Sequence, residues 1–146
     1  MASVFTRIID GELPGRFVWR DERCVAFLSI NPLAAGHTLV APRAEIDHWL
    51  DLDDELAAHL NLVSRVIGRA QQAAFAPARV ALIIAGFEVP HAHLHVIPAA
   101  SMRQLDFANA ELSPAPAALD AAAVRLREAL QALGRPEAAL EADSSG

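Results

Sequence analysis

The chain has a single cysteine, Cys24, among its 146 residues, so it forms no internal disulfide. At this length none is required, because a chain of about 150 residues buries roughly two-thirds of the surface its unfolded form exposes. Long apolar runs are also missing. No stretch approaches the ~18 residues needed to cross a bilayer, and no basic-then-apolar leader opens the chain. The expected setting is a reducing cytoplasm, with no membrane partner. Positive charge is in deficit as well: 12 Lys and Arg stand against 18 Asp and Glu, a net charge of -6. A nucleic-acid binder needs a basic face to neutralise phosphates, so that class is set aside, whereas a small nucleotide needs only a local site. With 53% hydrophobic and 21% charged residues, the chain falls in the ordinary globular range, read as one domain over 1–146.

Periodicity supplies the elements. Ser3 is placed to cap a short helix through Ile9, ended by Gly11 and Pro14. Phe17–Arg20 and Cys24–Ile30 read as strands joined by an Asp21-Glu22 turn, and Thr38–Ala41 as a third strand closed by Pro42. Short connections make them antiparallel neighbours. From Asp51 the period changes: Asp53 and Asp54 favour a helix N-terminus, and Leu56, Leu60, Val63, Ile67 and Ala70 recur at helical spacing to about Ala74. Val80–Ala85 reads as a buried strand, leading through the Gly86–Pro90 loop into a histidine-rich strand. Beyond Pro98, breaks at Pro114 and Pro116 precede an alanine-rich helix at about 117–133, stopped by Gly134 and Pro136, and a frayed tail at 143–146. The expected class is α+β: a mainly antiparallel sheet, one long amphipathic helix and a short N-terminal helix. Cys24 is expected in the core, His59 as structural or exposed, and Trp49 at the helix start or a dimer surface.

The densest chemistry lies in Pro90-His91-Ala92-His93-Leu94-His95-Val96-Ile97-Pro98, three of the six histidines at alternate positions on a strand that the two prolines are expected to end. Extended chain sends successive side chains to opposite faces, so the three imidazoles share one face and Ala92, Leu94 and Val96 the other. The row spans about 13 Å, too far for its outer members to hold one zinc ion without bending the strand. A central His93 with hydrogen-bonding or cationic helpers on both sides is easier to build. Imidazole has an ordinary pKa near 6.5 and is mostly an unprotonated base at neutral pH. With its other nitrogen held by a carbonyl, it becomes an oriented nucleophile suited to phosphorus.

These residues resemble the histidine triad (HIT) family, whose hallmark is His-x-His-x-His followed by two apolar residues. The likeness extends to the opening Val4-Phe5-Thr6-Arg7-Ile8-Ile9-Asp10-Gly11-Glu12-Leu13-Pro14, to Asp21–Phe27, to Asn31-Pro32, and to Gly36-His37-Thr38-Leu39-Val40-Ala41-Pro42-Arg43. It therefore covers about 4–98 in unbroken order. The resemblance implies a HIT-like fold and a nucleotidyl hydrolase or transferase, with a purine nucleotide or nucleoside phosphoramidate as substrate, no cofactor, and a homodimer. It implies His93 as nucleophile at the α-phosphorus, His91 and His95 beside it, and His37 as the fourth site histidine. Phe5 and Ile30 match positions that clasp the base, and both are equally core positions. Arg103 is either a phosphate contact or a surface residue.

Several positions depart from the family pattern. Ser29 stands where the family often has a ribose-binding Asp, and Gly86-Phe87-Glu88-Val89 where it often has Gly-Gln-Ser/Thr. These five residues are the remaining candidates for contact with the nucleotide. Glu88 is read as a rim charge, as the partner of an Arg, or as a base for water. The departures keep two alternatives open: a nucleotide-binding protein with weak or no catalysis, and a dinucleoside polyphosphate hydrolase or phosphorylase. A third reading has His91 with His93, or His37 with one triad member, holding a divalent metal.

Overall fold

The computed structural model describes residues 2–138, so the tail at 143–146 lies outside the described residues. Helix α1 (Val4–Ile9) starts where Ser3 Oγ accepts from the Thr6 amide at 3.0 Å, satisfying one of the amide groups a helix start leaves unpaired. Strands β1 (Phe17–Arg20) and β2 (Cys24–Leu28) form a hairpin. Its turn is held by Asp21 Oδ1, which accepts from the Arg23 and Cys24 amides at 2.8 Å each. Strand β3 (Thr38–Pro42), helix α2 (Asp54–Phe75), edge strand β4 (Arg79–Ile83), strand β5 (Leu94–Ala99) and helix α3 (Pro116–Ala132) follow. The five strands form one antiparallel sheet in the order β1-β2-β3-β5-β4.

The helical stripe on α2 does what its spacing predicts. Leu60, Val63, Ile67 and Ala70 are almost completely buried, packed in one cluster with Val40, Leu94 and Val96 of the sheet and Leu126 and Leu130 of α3. Each large aliphatic side chain buried this way contributes roughly 1.5–3 kcal/mol, which locks α2 onto one face of the sheet. One polar residue joins that interface. Gln71, fully buried, donates from Nε2 to the Gly36 carbonyl at 2.9 Å and the Val96 carbonyl at 2.8 Å. It thereby ties α2 to the two segments that carry His37 and His95. Gly36 has φ +89°, and a Cβ there would collide with the Phe75 ring, so only glycine allows the turn that presents His37.

Three expectations need correction. The histidine segment is not a strand from end to end: β5 starts at Leu94, leaving His91 and His93 on its approach and only His95 within it. His91 is held off the ladder by its own side chain, which is pinned elsewhere. Pro98 does not end the strand, because the ladder to β3 stops at Val96 and the proline pairs only with Val80 on β4. The strand expected to be buried over 80–85 is instead the open edge at Arg79–Ile83, with Leu82 half-exposed. Two residues carry their structural roles without entering the site. Cys24 is fully buried, and burial together with the Asp21 carboxylate pushes its thiol pKa up. His59 Nε2 lies 2.7 Å from Asp21 Oδ2 and links α2 to the β1–β2 turn. Among the described residues no helix is long and apolar enough to cross a membrane.

Candidate functional site

The imidazoles meet where β3, β5 and the approach to β5 converge. His91 is fully buried. Its Nε2 lies 2.7 Å from the Pro42 carbonyl, which can only accept, so Nε2–H donates and Nδ1 accepts from the Ser3 hydroxyl at 2.8 Å. Ser3 is the cap of α1, and its amide donates to Glu45 Oε1 at 2.7 Å, as the Thr6 hydroxyl does at 2.6 Å. Those two donors hold the Glu45 carboxyl below its ordinary pKa. A clasp of three side chains, Ser3, Thr6 and Glu45, together with the Pro42 carbonyl thus fixes His91, and with it the backbone carbonyl that matters next.

That carbonyl accepts from His93 Nδ1 at 2.7 Å. The ring is thereby set in the tautomer that keeps its lone pair on Nε2. Burial, the largest influence, lowers the His93 pKa; the bond to the His91 carbonyl and the Glu88 carboxylate act in the opposite direction. The imidazole is a neutral base with one nitrogen engaged.

A second chain of bonds fixes the other pair. The Leu33 amide donates to His37 Nδ1 at 3.0 Å, which leaves the His37 proton on Nε2, 3.0 Å from His95 Nδ1. His95 therefore carries its proton on Nε2. Burial, reinforced by the neighbouring imidazoles, pushes His37 down to about 4 and His95 down to about 3. The sequence allowed cationic helpers beside His93. Desolvation makes His95, and His37 behind it, neutral N–H donors instead.

Around these rings lies a cavity of about 340 Å³. Phe5, Ile8, Phe27, Leu39 and Ile30 line one part; His37, His93 and His95 line the middle; and Phe107, Ala110 and Leu112 lie along the C-terminal segment. The Phe5 ring meets His93 edge-on at 4.8 Å, although Phe5 is itself only 6% exposed, so it serves both core and cavity. Ile30 is 66% exposed on the rim.

Of the other expected contact residues, Ser29 and Glu88 line the cavity, while Gly86, Phe87 and Val89 are outside its lining. Phe87 is 96% exposed and Val89 packs against the Phe5 cluster. Arg103 is exposed and also outside. Sequence reasoning missed Phe107, the one aromatic in the mixed polar and apolar stretch 105–112, and Asn31; both line the cavity. It also missed a group that lies apart from the cavity: Asp21, Cys24 and His59 offer ligand atoms within 4.8 Å of one another. Burial would raise the Asp21 carboxyl pKa, but hydrogen bonds from Trp19, the Cys24 and Arg23 amides and His59 hold it well below the usual range, so its lone pairs already have donors.

The HIT domain model matches residues 10–102. The chain belongs to the histidine triad family. An uncharacterized HIT-like protein of Mycobacterium tuberculosis is 33% identical over 135 residues, which are 89% of this chain and 94% of that one. A crystal structure of a hypothetical histidine triad nucleotide-binding protein from Sulfolobus tokodaii superposes with a TM-score of 0.80 at 27% identity, covering 91% of this chain and 95% of its own. A zinc-bound histidine triad family protein from Mycobacterium smegmatis gives 0.79 at 28% identity, covering 92% and 96%. The shared architecture is the α+β fold with its five-stranded antiparallel sheet.

Proposed function

We propose that this HIT protein binds a purine nucleotide and acts as a nucleotidyl hydrolase or transferase on a nucleoside phosphoramidate or related adenylyl compound, through a covalent intermediate on His93. The observation that carries the reading is the 2.7 Å bond from His93 Nδ1 to the His91 carbonyl, which leaves Nε2 as the ring's available base. In the first step the Nε2 lone pair attacks the α-phosphorus and the bond to the leaving group breaks. The departing atom keeps that electron pair and takes the Nε2 proton of His95, leaving an imidazolate that is held at Nδ1 by the His37 Nε2–H and balances the positive charge formed on His93. Positive charge left on the His93 ring is held at Nδ1–H by the His91 carbonyl. In the second step water attacks phosphorus and gives its proton back to His95 Nε2. The P–Nε2 bond then breaks and its electrons return to His93. Each step uses donors set in place before substrate arrives, the condition under which electrostatic stabilisation is most effective.

Ser29 at the position of a family carboxylate, and Glu88 as a cavity-lining anion, favour a second reading in which the protein binds nucleotide and turns over slowly or not at all. Calorimetry with AMP beside a turnover assay on adenosine 5′-phosphoramidate separates the two. The first reading expects both binding and release of ammonia; tight binding without turnover supports the second. The open β4 edge and the α2 face beside it support a homodimer, since an unpaired strand edge is a ready template for another chain. Sedimentation at twice the chain mass is expected, and sedimentation as a monomer contradicts it.

A further inference from the structure

Four rings stand in a row across the cavity. Phe5 lies 4.8 Å from His93, His93 4.9 Å from His95, and His95 4.9 Å from Phe107, each pair meeting edge-on. The imidazole pair is thus flanked by a phenyl ring at both ends. Phosphorus must sit at the imidazoles, so the two ends serve the two groups it joins. The Phe5 end continues into Ile8, Phe27 and Leu39, the apolar patch expected to clasp the base. The Phe107 end is left for the other group.

We propose that Phe107, with Ala110 and Leu112, forms a leaving-group subsite that takes an apolar, ring-bearing amine. This inference rests on the phosphoryl-transfer reading given above.

The segment that carries Phe107 is a fixed wall. Asp106 Oδ1 accepts from the Ala108 amide at 2.9 Å, Asn109 Nδ2 donates to the Arg103 carbonyl at 3.1 Å, and the Glu111 amide donates to the Pro32 carbonyl at 3.0 Å. Leu105 and Ala110 pack against Leu33, Ile97 and Ala99. The wall is therefore fastened beside Leu33, the residue whose amide sets the His37–His95 relay. Phe107 nevertheless remains 37% exposed and Leu112 79% exposed, apolar surface that a ring entering the cavity would cover. It also sits beside His95, the group placed to protonate a departing nitrogen.

Charge selects against the alternative leaving group. The imidazoles are neutral, Arg16 Nε is engaged by Asp120 at 2.7 Å, and the other charged residue lining the cavity is Glu88. A polyphosphate leaving group would gain nothing from Phe107, Ala110 and Leu112, whereas an apolar amine meets apolar surface there. The wall follows the stretch 10–102 that matches the HIT domain, so this subsite belongs to the chain's own C-terminal segment.

The test compares two adenosine 5′-phosphoramidates, one bearing a 2-phenylethyl and one a methyl group on nitrogen, with the full-length wild type, Phe107→Ala and Phe107→Leu. An apolar pocket discriminates by about 10- to 100-fold, so wild type is expected to favour the phenylethyl compound in kcat/KM by at least about tenfold. Phe107→Ala is expected to bring the ratio close to one, with Phe107→Leu in between. Partial exposure of the ring keeps these variants foldable. A ratio unchanged in both variants overturns the subsite. So does a loss of AMP affinity in Phe107→Ala as large as the loss for the phenylethyl compound, because that places Phe107 on the nucleoside. Failure of wild type to cleave either compound overturns the catalytic reading instead. The subsite is then judged by binding: phenylethyl held about tenfold tighter than methyl, with the difference lost in Phe107→Ala, supports it, and equal affinities overturn it.

Discussion

Replacing His93 with asparagine or alanine is expected to lower turnover of adenosine 5′-phosphoramidate by about 10⁴-fold or more, the scale seen when a covalent nucleophile is removed. The geometry gives no other ring the same role. His91 has both nitrogens engaged, by Ser3 and the Pro42 carbonyl. His37 has both engaged by Leu33 and His95, and His95 retains only the nitrogen that carries its proton. His93 alone pairs a backbone-held N–H with a lone pair on the opposite nitrogen. Alanine removes a ring packed between Phe5 and His95 and leaves a cavity worth about 2–3 kcal/mol. Asparagine keeps more of the contact and separates lost chemistry from lost packing. A folded His93→Asn protein with wild-type turnover, measured by released amine, rules out the nucleophile.

Acidification is expected to destabilise the protein between about pH 6.5 and pH 4, earlier than carboxylate titration alone would produce. The direction follows from the depressed imidazoles. His37 is pushed down to about 4 and His95 to about 3, with His93 lowered too, in each case chiefly by burial. In the unfolded chain these rings take up protons near 6.5. Between the two values the unfolded state binds more protons than the folded one, so stability rises with pH across the window and is lost as pH falls through it. For His37 and His95 together the loss by pH 4 is on the order of 5 kcal/mol. That is comparable to the whole stability of a small domain. The depressed Asp21 carboxyl adds a loss of the same sign, but only below the ordinary carboxylate range. Urea unfolding at a fixed protein concentration, repeated from pH 7.5 to 4.5, is the measurement. A steep loss in wild type and a shallower one in His37→Asn are expected; a flat profile over that range contradicts the burial of the cluster.

Most of the fold is legible in the sequence because its signals are local. Ser3 caps α1 at the expected residue, the Asp53 cap opens α2 with its side chain on the Leu56 amide at 2.8 Å, and the Leu60-Val63-Ile67-Ala70 stripe is buried. Strand ends are less legible, since they depend on neighbours distant in the chain. The edge position of β4 decides that Val80 and Leu82 are half-open, and nothing within Arg79–Ile83 announces which strand has only one partner. The histidine spacing brings His93 and His95 together at the cavity, but it does not reveal that Ser3 and Pro42 pull His91 out of the ladder. Nor does it show that burial keeps the rings neutral. Phe107 was invisible for a related reason. It reaches His95 through two short 3₁₀ segments fixed by hydrogen bonds to Arg103 and Pro32, and hydrophobic periodicity does not report such paths.

The central claim is that His93 Nε2 bonds to phosphorus. Rapid quenching of the full-length protein with excess adenosine 5′-phosphoramidate, followed by intact mass and peptide mapping, tests it most directly. The account predicts one added adenylyl group per chain, on the peptide containing His93, absent from His93→Asn. Steady turnover with no added mass at any quench time, or an adduct mapped to another residue, contradicts it.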